Sequence, residues 1–190
     1  MTHKMKLAVI VSSTRDGRFG PTVANWFTKQ ANQHESLETT VIDLVETPLP
    51  ATMSDTPAAR AQLEKVTPRL TAADAFVVVT PEYNHSYPAS LKNAIDWHFT
   101  QWQAKPVGFV SYGGMSGGLR AVEHLRQVFA ELHAVTVRDT VSFHGAHALF
   151  DEDGEPKEPE GCNAAARTML DQLTWWSRAL HDARKNQPYG

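Results

Sequence analysis

Cysteine is almost missing from this chain. Cys162 is the only one in 190 residues, so no internal disulfide can form, which fits a reducing cytoplasm. Long apolar runs are missing as well, and none approaches the roughly 20 residues that a membrane helix needs. The N-terminal Met1-Thr2-His3-Lys4-Met5-Lys6 leads straight into a short apolar stretch, without a signal-peptide cleavage pattern. Charge of one sign is scarce, with a net charge of -3. That balance gives no electrostatic case for nucleic acid or an anionic membrane. There is no internal repeat and no low-complexity tract. The first glycine-bearing loop is not G-x-G-x-x-G, and G-x-x-x-x-G-K-[ST] does not occur. These absences disfavour a Rossmann dinucleotide domain and a P-loop nucleotidase.

What is present is alternation. The length suits one domain with a substantial core. Five segments read as strands: Leu7 to Val11, Thr39 to Leu44, Ala75 to Thr80, Val107 to Tyr112 and Val135 to Val141. Helical patterns lie between them. One opens at Pro21; another covers Thr56 to Thr71, where Pro68 is expected to shorten or kink it. Others run from Pro88 to Phe99 and from Gly118 onward. Gly145 to Gly161 reads as a long irregular connection, followed by a last helix from about Asn163 to Arg184. Alternating strands and helices predict a mostly parallel sheet between helical layers, a three-layer flavodoxin-like α/β/α sandwich over residues 1–190. The pattern by itself leaves the strand order open.

Three loops follow the carboxyl ends of buried strands, where ligands bind in such sheets. The first is Ser12-Ser13-Thr14-Arg15-Asp16-Gly17-Arg18-Phe19-Gly20. Hydroxyls, arginines and a helix N-terminus suit an anion, with Ser13 and Arg15 the first candidates and Arg18 another. A phosphate held this way, without a glycine motif, suits a mononucleotide such as FMN. The second loop is Pro81-Glu82-Tyr83-Asn84-His85-Ser86-Tyr87, and the third is Tyr112-Gly113-Gly114-Met115-Ser116-Gly117-Gly118. The glycines of the third let backbone approach a flat ligand.

The third loop also carries a rival reading. Gly114-Met115-Ser116-Gly117-Gly118 matches G-x-S-x-G, with Asp139 or Asp151 and His144, His147 or His181 as partners for a hydrolase triad. No HGGG-type segment accompanies it, and the other two loops would then have no role. His144-Gly145-Ala146-His147 lacks a placed third metal ligand, so no metal is expected. Asp151 to Glu155 lacks the register of an EF-hand and reads as a solvated acidic turn. Cys162 sits in a Glu/Pro/Gly-rich stretch without nearby His or Arg and reads as an incidental thiol. Trp175-Trp176 reads as core or oligomer contact.

With Ser13-Thr14-Arg15, Pro81-Glu82-Tyr83-Asn84 before Leu91-Lys92-Asn93-Ala94-Ile95-Asp96, and Gly113-Gly114 before Ser116-Gly117, the chain resembles the NADPH-dependent FMN reductase family. The resemblance covers roughly Lys6 to Val141. It implies a five-stranded parallel sheet in the order 2-1-3-4-5, bound FMN, and NADPH or NADH as electron donor. The acceptor would be a small molecule: a quinone, azo compound, chromate or free flavin. A cytoplasmic homodimer or homotetramer is implied too. Carried over by residue, Ser13 and Arg15 would hold phosphate, with Arg18 and the Gly20 N–H as further ligands. Pro81, Glu82, Tyr83 and Asn84 would line the ring on one side, and Tyr112, Gly113, Gly114 and Ser116 would close the other. No side chain is assigned as general acid or base, because the flavin N5 carries the chemistry. Ser12, Gly20 and Ala89 depart from the common pattern. A flavodoxin-type electron carrier is the alternative within the same fold, and Arg15, Arg18 and the modest charge speak against it.

Overall fold

The computed structural model describes residues 4–190; Met1 to His3 of the N-terminal lead-in lie outside the described residues. The elements run β1 Met5–Val11, α1 Gly20–Asn32, β2 Leu37–Asp43, α2 Pro57–Ala72, β3 Ala75–Pro81, α3 Ala89–Asp96, β4 Pro106–Gly113, α4 Leu119–Glu131, β5 Val135–Thr136, β6 Val141–His144, α5 Ala146–Leu149 and α6 Pro159–Asn186. All strand pairings are parallel, in the order β2-β1-β3-β4-β5, with β6 also paired to β4. This is the flavodoxin-like order 2-1-3-4-5.

Two cores explain the layers. Strand side chains point alternately to opposite faces, so Val9, Val77, Val79 and Val110 meet α1 and α6 residues such as Trp26, Phe27 and Met169 on one side. Ala8, Ile10, Phe76, Val78 and Phe109 meet Leu70, Leu91, Leu125 and Phe129 on the other. Strand β3 is buried at every position, as a central parallel strand must be when helices cover both faces.

Three expectations are corrected. The fifth strand is broken in two, because Arg126 donates to the Val137 and Arg138 carbonyls, and Asp139 N donates to Gln172 Oε1 at 3.3 Å. Those backbone groups are thereby drawn out of the ladder. Helix α2 runs through Pro68 to Ala72 instead of stopping. The carbonyl that Pro68 leaves unpaired belongs to Glu64, an exposed residue, so water can satisfy it. The connection after Gly145 contains α5, and its last three residues already belong to α6.

Candidate functional site

The carboxyl ends of β1, β3 and β4 lie side by side, Val11 opposite Val79 and Pro81 opposite Tyr112. The three loops singled out in the sequence therefore converge on one edge of the sheet. Ser12 anchors the first loop: its N–H and its hydroxyl both donate to Val79 O, each at 3.0 Å. Ser90 of α3 donates to Ser12 O at 2.6 Å. The serine found where the family often has glycine thus has a structural use.

Beyond this anchor two buried hydroxyls converge on the start of α1. Ser13 Oγ and Tyr112 Oη are both buried and face each other, and neither has a hydrogen-bond partner elsewhere in the protein. They face Gly20 at the start of α1, where an added Cβ would collide with Ser13 Oγ and lie 2.9 Å from Tyr112 Oη. Buried hydroxyls are almost always bonded, so two orphans beside a helix N-terminus mark a place built for an acceptor-rich group. Burial pushes the Tyr112 phenol up to about 12, against the smaller opposing pulls of the Ser13 hydroxyl, Arg15 and Arg18. It is a proton donor at neutral pH. The acceptor chemistry of a phosphate fits these donors.

The two arginines separate. Arg18 forms a bidentate pair with Asp43 at 2.6 and 2.7 Å and also donates to Ser13 O at 2.8 Å. Its fork is occupied by a carboxylate at the end of β2, so it shapes the loop from behind. Arg15 is exposed, its guanidinium 5.0 Å from the centre of the Tyr83 ring. Nothing in the sequence distinguished the two; the carboxylate that takes Arg18 lies 25 positions away.

Tyr83 to Ser86 form a tight two-residue turn. Tyr83 N donates to Ser86 O at 2.8 Å and Ser86 N to Tyr83 O at 3.1 Å. Both central residues have positive φ, 48° at Asn84 and 75° at His85, the arrangement of a type I′ turn. Asparagine and histidine are both among the non-glycine residues enriched in this region, and the surroundings hold the turn in place.

Those surroundings are Glu82 and α4. The Glu82 side chain is 6% exposed and pairs with Arg120 at 2.5 Å. It also accepts from Ser116 Oγ at 2.7 Å and from Arg120 N at 3.3 Å. Burial raises its pKa, but the Ser116 hydroxyl and Arg120 outweigh that and hold it below the usual carboxylate range. Glu82 is therefore an ionised clamp joining the second loop to the third. The Ser116 hydroxyl points its proton into that clamp. His144 Nδ1 lies 2.9 Å from Met115 O, an acceptor only, so the ring proton sits on Nδ1. His181 faces Asp74 at the opposite end of the sheet. The hydrolase triad has no geometry here. No group of three metal-ligating side chains occurs among the described residues.

The glycine run divides by role. Gly117 and Gly118 have φ of 58° and 83°, and a Cβ at either would strike Ser142 and His144 or Ser111. They let the loop turn against β4 and β6. A Cβ at Gly114 would meet nothing within 4 Å, so this is the residue that presents open backbone at the rim. Sequence reading missed Ser90, Arg120 and His124, and weighed His144 only as a triad or metal partner. The only available signal was the i, i+4 spacing of Arg120 and His124 on α4.

Comparison with known proteins agrees with this geometry. Residues 5–148 match the family described as NADPH-dependent FMN reductase. An NAD(P)H-dependent FMN reductase of Schizosaccharomyces pombe is 37% identical over 122 residues, which cover 60% of each chain. A quinone reductase of Escherichia coli is 34% identical over 144 residues, covering 72% of this chain and 76% of the relative. A flavoenzyme NAD(P)H:(acceptor) oxidoreductase from Paracoccus denitrificans superposes with a TM-score of 0.74 at 23% identity, covering 92% of this chain and 98% of that one. The last likeness bears on the fold alone. With the family matched over most of its length and the loops assembled at one sheet edge, this chain belongs to the NADPH-dependent FMN reductase family.

Proposed function

We propose that the chain is an FMN-dependent NAD(P)H oxidoreductase that passes hydride from a nicotinamide to a small acceptor. Quinones, azo compounds, chromate or free flavin are the acceptor class, and donor and acceptor use one site in turn, in ping-pong order. The single observation that carries this reading is the pair of orphaned hydroxyls, Ser13 Oγ and Tyr112 Oη, over Gly20. It is supported by the names of the relatives, which are FMN and quinone reductases. We read the whole of residues 1–190 as one FMN-binding domain.

FMN, when bound, supplies the redox chemistry. The protein's part is to hold and to shape. Ser13, Tyr112, Arg15 and the first N–H groups of α1, Gly20 among them, would hold the phosphate. Pro81 and Tyr83 with Asn84 would form one wall, and Gly113 and Gly114 the other. Glu82 and Ser116 fix the distance between the walls by bonding to each other, and touch the ligand only through backbone. Arg18 keeps the phosphate loop in shape through Asp43. No side chain here is assigned as a general acid or base; orientation is the protein's contribution.

The reading is tested directly. Purified protein should show flavin absorption or acquire it on addition of FMN; colourless protein that cannot be reconstituted would refute it. Rapid mixing with NADPH under anaerobic conditions separates a reductase from a one-electron carrier, since a carrier should not be bleached at a useful rate. Parallel lines in steady-state plots against both substrates check the ping-pong order. A cytoplasmic homodimer or homotetramer is proposed from the single cysteine and the family resemblance, and sedimentation measures the assembly. Among the described residues no helix is long and apolar enough to cross a membrane.

A further inference from the structure

The tip of the first loop, residues 14–17, is exposed throughout, and Gly17 turns it at a φ of 64° with nothing within 4 Å of an added Cβ. Among the described residues the tip makes no side-chain hydrogen bond and no ion pair. What ties it to the second loop is the Arg15 guanidinium, which lies over the Tyr83 ring, 5.0 Å from its centre. Asp43 and Glu82, the carboxylates at the ends of β2 and β3, are engaged elsewhere. Arg18 fills the first, and Arg120 with Ser116 fills the second.

Tyr83 is a fixed platform for that guanidinium. Glu82 before it is clamped, and the Tyr83 N–H and C=O both close the turn with Ser86. The residue is half-buried. Its ring and Arg15 also lie near the Ser13–Tyr112 cradle. Behind the burial that dominates the Tyr112 shift and the smaller pull of Ser13, the Tyr83 phenol raises the Tyr112 pKa and the Arg15 charge lowers it. Such influences fall off with distance.

The kind of contact matters. An aromatic face attracts a cation through its quadrupole and takes up none of its N–H groups. A carboxylate does the reverse, as Asp43 shows by occupying the fork of Arg18. Arg15 is therefore restrained with its donors still available.

We propose that Tyr83 is a positioning residue for Arg15, holding the guanidinium beside the cradle with its N–H groups directed to the phosphate of FMN. The inference rests on the reading of the three loops as a flavin site. It gives the Tyr83 side chain a task separate from the wall. A long side chain loses rotamer freedom when a ligand immobilises it. One already held loses less, and the difference is gained in affinity for the phosphate.

The test compares FMN with riboflavin, which has the same ring and ribityl chain but no phosphate. Both are titrated by fluorescence into the full-length protein freed of flavin. Tyr83→Leu should weaken FMN about fourfold and spare riboflavin, and Tyr83→Phe, which keeps the ring, should restore FMN affinity. Arg15→Ala should weaken FMN about thirtyfold, and Tyr83→Leu added to it should cost nothing more. Riboflavin and FMN weakened equally by Tyr83→Leu would make Tyr83 a wall alone and overturn the proposal. So would an unchanged FMN affinity in Tyr83→Leu, or a full fourfold loss in the Arg15→Ala background. That last comparison needs FMN alone and decides the matter by itself. A parent protein that binds neither flavin would instead defeat the reading of the site, and the two failures are thereby told apart.

Discussion

At the amino end of the sheet, Asp74 accepts from Lys6 N and from His181, each at 2.9 Å, with Arg184 at 3.7 Å. Beside it Lys105, just before β4 and 7% exposed, donates to the Leu70 and Thr71 carbonyls at 3.0 Å and so caps the carboxyl end of α2. At the carboxyl end the buried Ser13 and Tyr112 hydroxyls have no partner elsewhere in the protein. Positive φ does not separate the ends, since Asn84 and His85 lie at one and Ala104 and His133 at the other. One end pairs its buried charges; the other leaves donors open. Paired charges thus lie at one edge of the sheet, and the open Ser13 and Tyr112 hydroxyls at the edge proposed for the ligand.

Breaking the amino end should give the largest effect. Asp74→Ala strands the partly buried Arg184 and the Lys6 N–H and removes the acceptor facing His181, and should cost about 4 kcal/mol of stability in denaturant unfolding. Flavin affinity of the molecules that remain folded should be unchanged. Equal losses in both would abolish the division between the two ends.

Breaking the carboxyl end should do the reverse. Gly20→Ala puts a methyl against Ser13 Oγ and Tyr112 Oη, and should weaken FMN by about 3 kcal/mol through overpacking of the cradle. The unfolding midpoint should barely fall, because alanine favours the helix it opens. Fluorescence titration measures the first and thermal melting the second. Arg15→Ala should be milder, about 2 kcal/mol in FMN affinity for a lost charge-assisted hydrogen bond. Unchanged affinity would remove Arg15 from the phosphate site.

The smallest effect is one of pH. Burial, aided by Arg184, lowers the Lys105 amine from 10.5 to about 8 against the pull of Asp74. Between those values the unfolded chain binds the proton that the folded chain has lost, so stability rises with pH across the window. Below it the desolvation cost is present in full. In Lys105→Met that rise should vanish, while flavin affinity at either pH stays as in the parent. Parallel stability curves for the two proteins would show that Lys105 titrates normally.

Much of this was readable from local pattern. The run Ala75 to Thr80, apolar on both faces, announced a central strand. The Pro81 to Asn84 loop after it stood out as a candidate wall. Ser13 and Arg15 were singled out because hydroxyls and arginine before a helix suggest an anion. What could not be read were the pairings across the chain. Glu82 finds Ser116 and Arg120 more than thirty positions away. The break in the last strand comes from Arg126 on the preceding helix, and the fate of Arg18 from Asp43 on a neighbouring strand.

The sequence by itself determined the elements, their alternation and the residue types at each strand end, because periodicity and helix-start chemistry act over a few residues. Only the tertiary structure decided which of those residues stay open at the sheet edge and which brace the loops. An arginine fork, a carboxylate or a hydroxyl serves either purpose, and the choice depends on which partner the folded sheet brings within about 3 Å. Hence Arg15 is open while Arg18 is filled, and Ser13 is orphaned while Ser12 and Ser116 are bonded.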